Sequence, residues 1–282
     1  MRTHTSIALS LFAVVVTGCA SSGPAGRGTF AQMETLSSPR SRADRKLRDE
    51  HFDEAVRSYL ALLEEPSGDL VDDATIRHLL SRAYWGRAGR IDATDATAKT
   101  RAADRTSAVE YAHGAWQQLQ SQRDDTTTEL YGRVGRTLGR YLRSVGEMDE
   151  AIGVYQTLLE RTAEDGASRV QALCDLGNAH LDRSRRYVDQ RSAGSDSPGD
   201  LFMALRYLED ARELARRTED CPPLLVANVN NALGLIHNVQ LQFTVAVERF
   251  SQAERICREQ DEAASHAEVL ENLILALIEI GR

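Results

Sequence analysis

Residues 129–160 read ELYGRVGRTLGRYLRSVGEMDEAIGVYQTLLE, and this stretch limits the possible folds more than any other. Leu130, Val134, Leu138, Tyr141, Leu142 and Val145 recur at steps of three and four, which is the apolar stripe of an amphipathic helix. Gly146 ends that helix and Glu147–Asp149 form a polar turn. A second helix follows, with Met148, Ile152, Tyr155, Leu158 and Leu159 on one side. Gly135, Gly139 and Ala151 fall where two helices would have to approach closely. Neither helix can bury its stripe alone, so the unit is a helical hairpin that needs neighbours on both sides.

The pair Leu138-Gly139, then Leu142, Ala151 and Tyr155, resembles the tetratricopeptide repeat signature, Leu-Gly-x-x-Tyr followed by Ala-x-x-x-Phe. The pattern recurs. Ala55, Tyr59, Leu62, Leu63 and Pro66 reproduce the second-helix half, after a short charged helix around Ser41–Asp49 that reads as an atypical cap. Leu79-Leu80-Ser81 and Tyr84 pair with Ala108, Ala112, Ala115 and Trp116, and Leu176-Gly177 and His180 pair with Ala204, Leu208 and Ala211. Leu233-Gly234 and His237 pair with Ala246, Phe250 and Ala253, and Glu268–Gly281 reads as one more first helix. The resemblance implies an all-α, right-handed superhelix of antiparallel helical hairpins over residues 42–282, about five repeats plus a terminal helix. The alternative at this stage is a helical bundle without repeats.

The second-helix alanines 55, 108, 151, 204 and 246 are spaced 53, 43, 53 and 42 residues apart. The second and fourth repeats therefore carry about fifteen extra residues each at the hairpin tip, Arg90–Asp104 and Arg185–Gly199. The alternation points to an ancestral two-repeat unit of about 96 residues that has been duplicated.

The N-terminus speaks to location. Ile7–Val16 is a ten-residue apolar run behind Met1-Arg2, too short to span a bilayer and suited to a signal peptide core over residues 1–18. Val16-Thr17-Gly18-Cys19 resembles the lipobox of bacterial lipoproteins. The resemblance implies cleavage before Cys19, lipidation of that cysteine and firm anchoring, and Ala20 favours the outer membrane. An ordinary secretory signal cleaved nearby is the other reading. Residues 19–41, rich in Ser, Gly, Pro and Ala, read as a flexible tether reaching roughly 25 Å.

Of 34 basic residues only Lys46 and Lys99 are lysine, and the net charge is −8, so nothing favours nucleic acid as a partner. No glycine-rich phosphate loop, Gly-x-Ser-x-Gly elbow, His-x-x-x-His or Cys-x-x-Cys spacing occurs, so neither an enzyme, a metal site nor a cofactor is expected. His180 and His237 occupy corresponding positions and are read as bonding to a neighbour.

The candidate site is a stripe of arginines. Arg133, Arg136, Arg140 and Arg143 cover only about 80° of their helix, opposite its apolar face. The family resemblance puts first helices on the inner wall of the superhelix. The equivalent faces of the next two first helices show Asn178 and Asp182, then Asn228, Asn231 and Asn238. Guanidinium forks beside carboxamides suit an extended peptide with acidic groups. The set is similar to the carboxylate clamp of some family members, but Arg stands for Lys and the order of Asn and basic residues does not match. The same stripe also fits the solvated face of an arginine-rich helix, with Glu129 pairing to Arg133. Cys221 and Cys257 lie at helix ends that an antiparallel hairpin brings together, where a disulfide or two free thiols both fit, and Cys174 stays reduced on the groove side.

The reading is a membrane-anchored periplasmic adaptor that binds a peptide segment or protein partner in its concave groove, with the membrane reached only through the N-terminal lipid. The alternative is a structural subunit similar to the tetratricopeptide lipoproteins of outer-membrane β-barrel assembly or type IV pilus biogenesis.

Overall fold

The computed structural model describes residues 38–91, 94–122, 125–163, 166–189 and 197–281. The expected signal segment, the expected lipidation position Cys19 and the expected tether as far as residue 37 lie outside the described residues, and the end of that tether segment, from Pro39, is the start of α1. Among the described residues there are eleven helices and no strand: α1 (Pro39–Arg48), α2 (Phe52–Glu64), α3 (Leu70–Arg90), α4 (Asp95–Leu119), α5 (Asp125–Val145), α6 (Met148–Arg161), α7 (Ala167–Asp189), α8 (Ser197–Arg217), α9 (Pro223–Val239), α10 (Phe243–Glu259) and α11 (Ala263–Ile280). None is long and apolar enough to cross a membrane.

Each helix packs on the next, giving five antiparallel hairpins from α1/α2 to α9/α10, with α11 stacked on the last. Every first helix also touches the first helix of the following hairpin, from α1 and α3 through to α9 and α11, whereas the second helices pack on their sequence neighbours. The layer α1, α3, α5, α7, α9, α11 is therefore the more closely spaced one, and the stack curves towards it. The architecture is an all-α, tetratricopeptide-like superhelix.

The glycines of the signature explain how the hairpins close. A Cβ on Gly139 would lie 2.5 Å from the Tyr155 ring; the same atom on Gly177 would lie 2.6 Å from Leu208, and on Gly234 2.5 Å from Phe250. In each hairpin the missing side chain admits the large residue of the facing helix, which is wholly buried. Gly135 does the same between hairpins, where it receives Trp116 from α4.

Gly146 ends α5 with φ at +96°, a conformation costly for any residue with a Cβ. Its N–H donates to the Arg143 carbonyl at 3.2 Å and the Glu147 N–H to the Leu142 carbonyl at 2.9 Å, which closes the helix end and turns the chain into α6.

Among the described residues, both insertions extend the flanking helices. α3 and α4 run 21 and 25 residues and α7 and α8 run 23 and 21, against 21 and 14 for α5 and α6. The duplication is visible in contacts. Tyr84 stacks on Tyr111 at 5.7 Å, and His180 stacks on Tyr207 at 5.6 Å, each residue 96 positions after its counterpart.

Candidate interaction groove

On α5 the buried residues Leu130, Val134, Leu138, Tyr141 and Leu142 turn the opposite face to solvent on the inner layer. Arg133 and Arg140 are exposed there, and Arg136 and Arg143 are half-buried. The four do not share one fate. Arg143 reaches across to α7 and donates from Nε to Asp182 Oδ2 at 2.9 Å, so it joins two hairpins. Arg133 Nε lies 3.9 Å from Glu129, a loose one-turn pair. Arg136 and Arg140 form no ion pair among the described residues.

Next to this row, Asp175 on α7 accepts from Gln171 Nε2 at 3.0 Å, while its Oδ2 is buried without a hydrogen-bond partner. Burial pushes its pKa up to about 6, against the pull of the Gln171 bond and of Arg143, Arg136 and Arg140. Across α5 on the other side, His78 of α3 is buried. Burial, together with Arg82, Arg133 and Arg140, pushes its pKa down to about 4, so it stays neutral at pH 7. The arginine row thus lies between α3 and α7, along the inner layer.

The asparagines fare differently. Asn178 is half-buried and donates from Nδ2 to Cys174 Sγ at 3.5 Å. Asn228 is exposed. Asn231, expected in the groove, is buried: its Nδ2 donates to Glu268 at 3.3 Å and its Oδ1 accepts from Asn272 at 3.1 Å, so both halves of the amide bind α11. Its role is to dock the last helix, because that face of α9 is covered once α11 stacks on it.

Cys221 and Cys257 are free thiols, against the disulfide considered from sequence. Cys257 is buried among Ala227, Ala253 and Val269, whereas Cys221 packs against the cluster that holds Leu225 and Val229. The two helix ends meet, but the sulfurs enter different clusters. Cys174 is buried in the core of the fourth hairpin region and is not groove-lining. His180 Nδ1 lies 2.8 Å from Asp200 and His237 Nδ1 lies 2.8 Å from Gln242, so each finds a neighbour as expected.

Sequence reading missed the part of the inner wall on α1 and α3. A cavity of about 610 Å³ opens between α1, α3 and α5, lined by Leu47, Arg48, Leu79, Arg82, Trp85 and Tyr141 among others. Trp85 stacks on Tyr141 with ring centroids 4.1 Å apart. Tyr59 donates to Asp44 at 2.7 Å at its edge. The available signal was the 96-residue offset, which places Arg82 at the position of Asn178.

No family model matches the chain, and no curated protein matches it by sequence. Solved structures do match. A putative kinesin light chain from Podosopora anserina, with nearly identical TPR-like repeats, superposes with a TM-score of 0.54 at 15% identity, over 81% of this chain and 97% of that one. BtubC (BKLC) from P. vanneervenii gives 0.54 at 16% identity, over 85% and 84%. The apo form of RapI gives 0.56 at 14% identity, over 86% of this chain and 61% of RapI. At such identities the likeness concerns the fold, a tetratricopeptide-like helical repeat.

Proposed function

We propose that this chain is an interaction scaffold of the bacterial cell envelope, lipid-anchored at Cys19 to the outer membrane and facing the periplasm, that holds an acidic peptide segment or protein partner against its inner wall. The observation that carries the reading is the row of Arg82, Arg133, Arg136 and Arg140 along the first-helix layer. Three of the four form no ion pair among the described residues, in a chain whose net charge is −8. Cations so placed take carboxylates bidentately. The lipid anchor rests on the Val16–Cys19 motif and the apolar run before it.

Crosslinking and pull-down from membranes test both parts. Changing Arg136 and Arg140 together to Glu is expected to lose the partner, and raised salt to weaken it. Cys19→Ser is expected to move the protein from the membrane to the soluble fraction. Retention of the same partners by the double variant removes the groove reading.

A second reading, a structural subunit of an outer-membrane assembly machine, is favoured by α11. Its Ile274, Leu275, Leu277, Ile278 and Ile280 are each about half exposed, which suits a permanent apolar interface. Co-purification that survives high salt and the double Arg variant supports this reading instead.

A further inference from the structure

Building on the groove reading, we infer that the cavity between α1, α3 and α5 is where the partner is anchored. It receives a large apolar side chain of an extended segment, and acidic residues beside that side chain meet Arg48 and Arg82.

Shape and chemistry both enter. The volume, about 610 Å³, lies within the range of roughly 300–1,000 Å³ typical of ligand pockets, enough for a large side chain and its neighbours. Leu47, Phe52, Leu79, Trp85 and Tyr141 supply the apolar part of its lining, beside Asp44, Arg48, Glu50 and Arg82. Of its two carboxylates, Glu50 pairs with Arg90, whereas Asp44 accepts from the neutral Tyr59 hydroxyl at 2.7 Å and keeps its charge. Arg48 and Arg82 are exposed at the rim and form no ion pair among the described residues. Arg48 and Arg82 outweigh the one remaining carboxylate, Asp44, so the lining is left net positive, and the complement is an apolar group with acid next to it.

The same contacts disfavour a nucleobase. Single-stranded nucleic acid is held by open aromatic faces. Here one face of Trp85 is covered by Tyr141 and Arg105 sits over its ring at 5.5 Å, while Tyr141 itself is buried. Rings covered in this way suit a packed side chain better than a stacked base. The chain's own residues 20–37 carry one Glu and one Arg, so the tether lacks the acidic character that this site selects.

The test is a phage-displayed library of random twelve-residue peptides panned on the full-length chain in detergent micelles, with selected peptides measured by fluorescence polarisation. The expected consensus is a large apolar residue with Asp or Glu within three positions. Arg48→Glu with Arg82→Glu, both surface changes, is expected to weaken those peptides at least 10-fold. Leu47→Trp, which fills the cavity without altering charge, is expected to do the same, with helical circular dichroism unchanged in every variant. Acidic peptides that bind through Arg136 and Arg140 and ignore all three changes overturn the anchor while leaving the groove reading intact. A consensus without acid, no enrichment, or tighter binding of an oligothymidine probe than of any peptide overturns both.

Discussion

Arg87 on α3 grips Asp104 on α4 with two parallel hydrogen bonds, Nε to Oδ2 at 2.8 Å and Nη2 to Oδ1 at 2.6 Å. The carboxylate is only 4% exposed, and the same guanidinium reaches Asp53 of the preceding hairpin at 3.2 Å. Ninety-six residues later Arg183 holds Asp200 at 2.9 and 2.6 Å and pairs with Asp149. One staple, present twice, closes each long hairpin and ties it to the hairpin before. At Asp200 burial works against the charge, but the bonds from Arg183 and His180 outweigh it and hold the carboxyl below its usual range.

Arg87→Ala and Arg183→Ala are each expected to destabilise the fold by about 2 kcal/mol, the scale of a lost hydrogen-bonded charge whose partner stays buried. The two staples share no partner, so the double variant is expected to show the sum of the single losses. Urea unfolding followed by circular dichroism checks this; a double variant no worse than either single one contradicts two independent staples.

Two glycines are expected to respond to alanine with opposite signs. At Gly139 the new methyl lies 2.5 Å from the Tyr155 ring, so Gly139→Ala overpacks the hairpin and costs about 1–3 kcal/mol. At Gly153, within α6, nothing lies within 4 Å, and Gly153→Ala is expected to stabilise by about 0.5–1 kcal/mol. Thermal midpoints of the two variants read the contrast directly.

Asp175 makes stability depend on pH. Its folded pKa, about 6, is above the ordinary 3.8, so the folded state prefers the proton and ionisation works against folding. The Asp175 contribution to stability is therefore expected to fall as pH rises from about 4 to about 6 and then to level off. Asp175→Asn removes that loss: the variant is expected to melt higher than the parent at pH 7.5, and the gap to close by pH 4. An equal gap at both pH values contradicts a buried, ionising carboxylate.

Asn231→Ala leaves Glu268 and Asn272 without their partner on α9. Hydrogen exchange is expected to rise in α11 well before α3 to α8 respond, since a stacked repeat contacts only its neighbours. Uniform exchange along the chain excludes that local docking role.

The helices were legible because each has to hide an apolar stripe, and the stripe's three- and four-residue steps are written in the sequence. Leu138, Tyr141 and Leu142 are buried as their spacing requires, and Gly139, Gly177 and Gly234 admit the large residues that the signature places opposite them. The solvent side carries no such requirement. Arg136 and Arg143 look alike on a helical wheel, yet Arg143 is joined to Asp182 in the next hairpin while Arg136 forms no ion pair among the described residues. Asn231 shows the same difficulty, since its partners lie 37 and 41 residues further along the chain.

By itself the sequence determined the helical hairpins, their number and the duplicated unit, because these follow from local periodicity, helix stops and the placement of small residues. Only the tertiary structure decided which polar groups of the inner wall join hairpins, which sulfurs stay apart, and that α1, α3 and α5 leave a cavity where Leu47, Trp85 and Tyr141 meet Arg48 and Arg82. Periodicity sets the face a helix buries, whereas a side chain's partner across the stack depends on how helices far apart in sequence come to rest against one another.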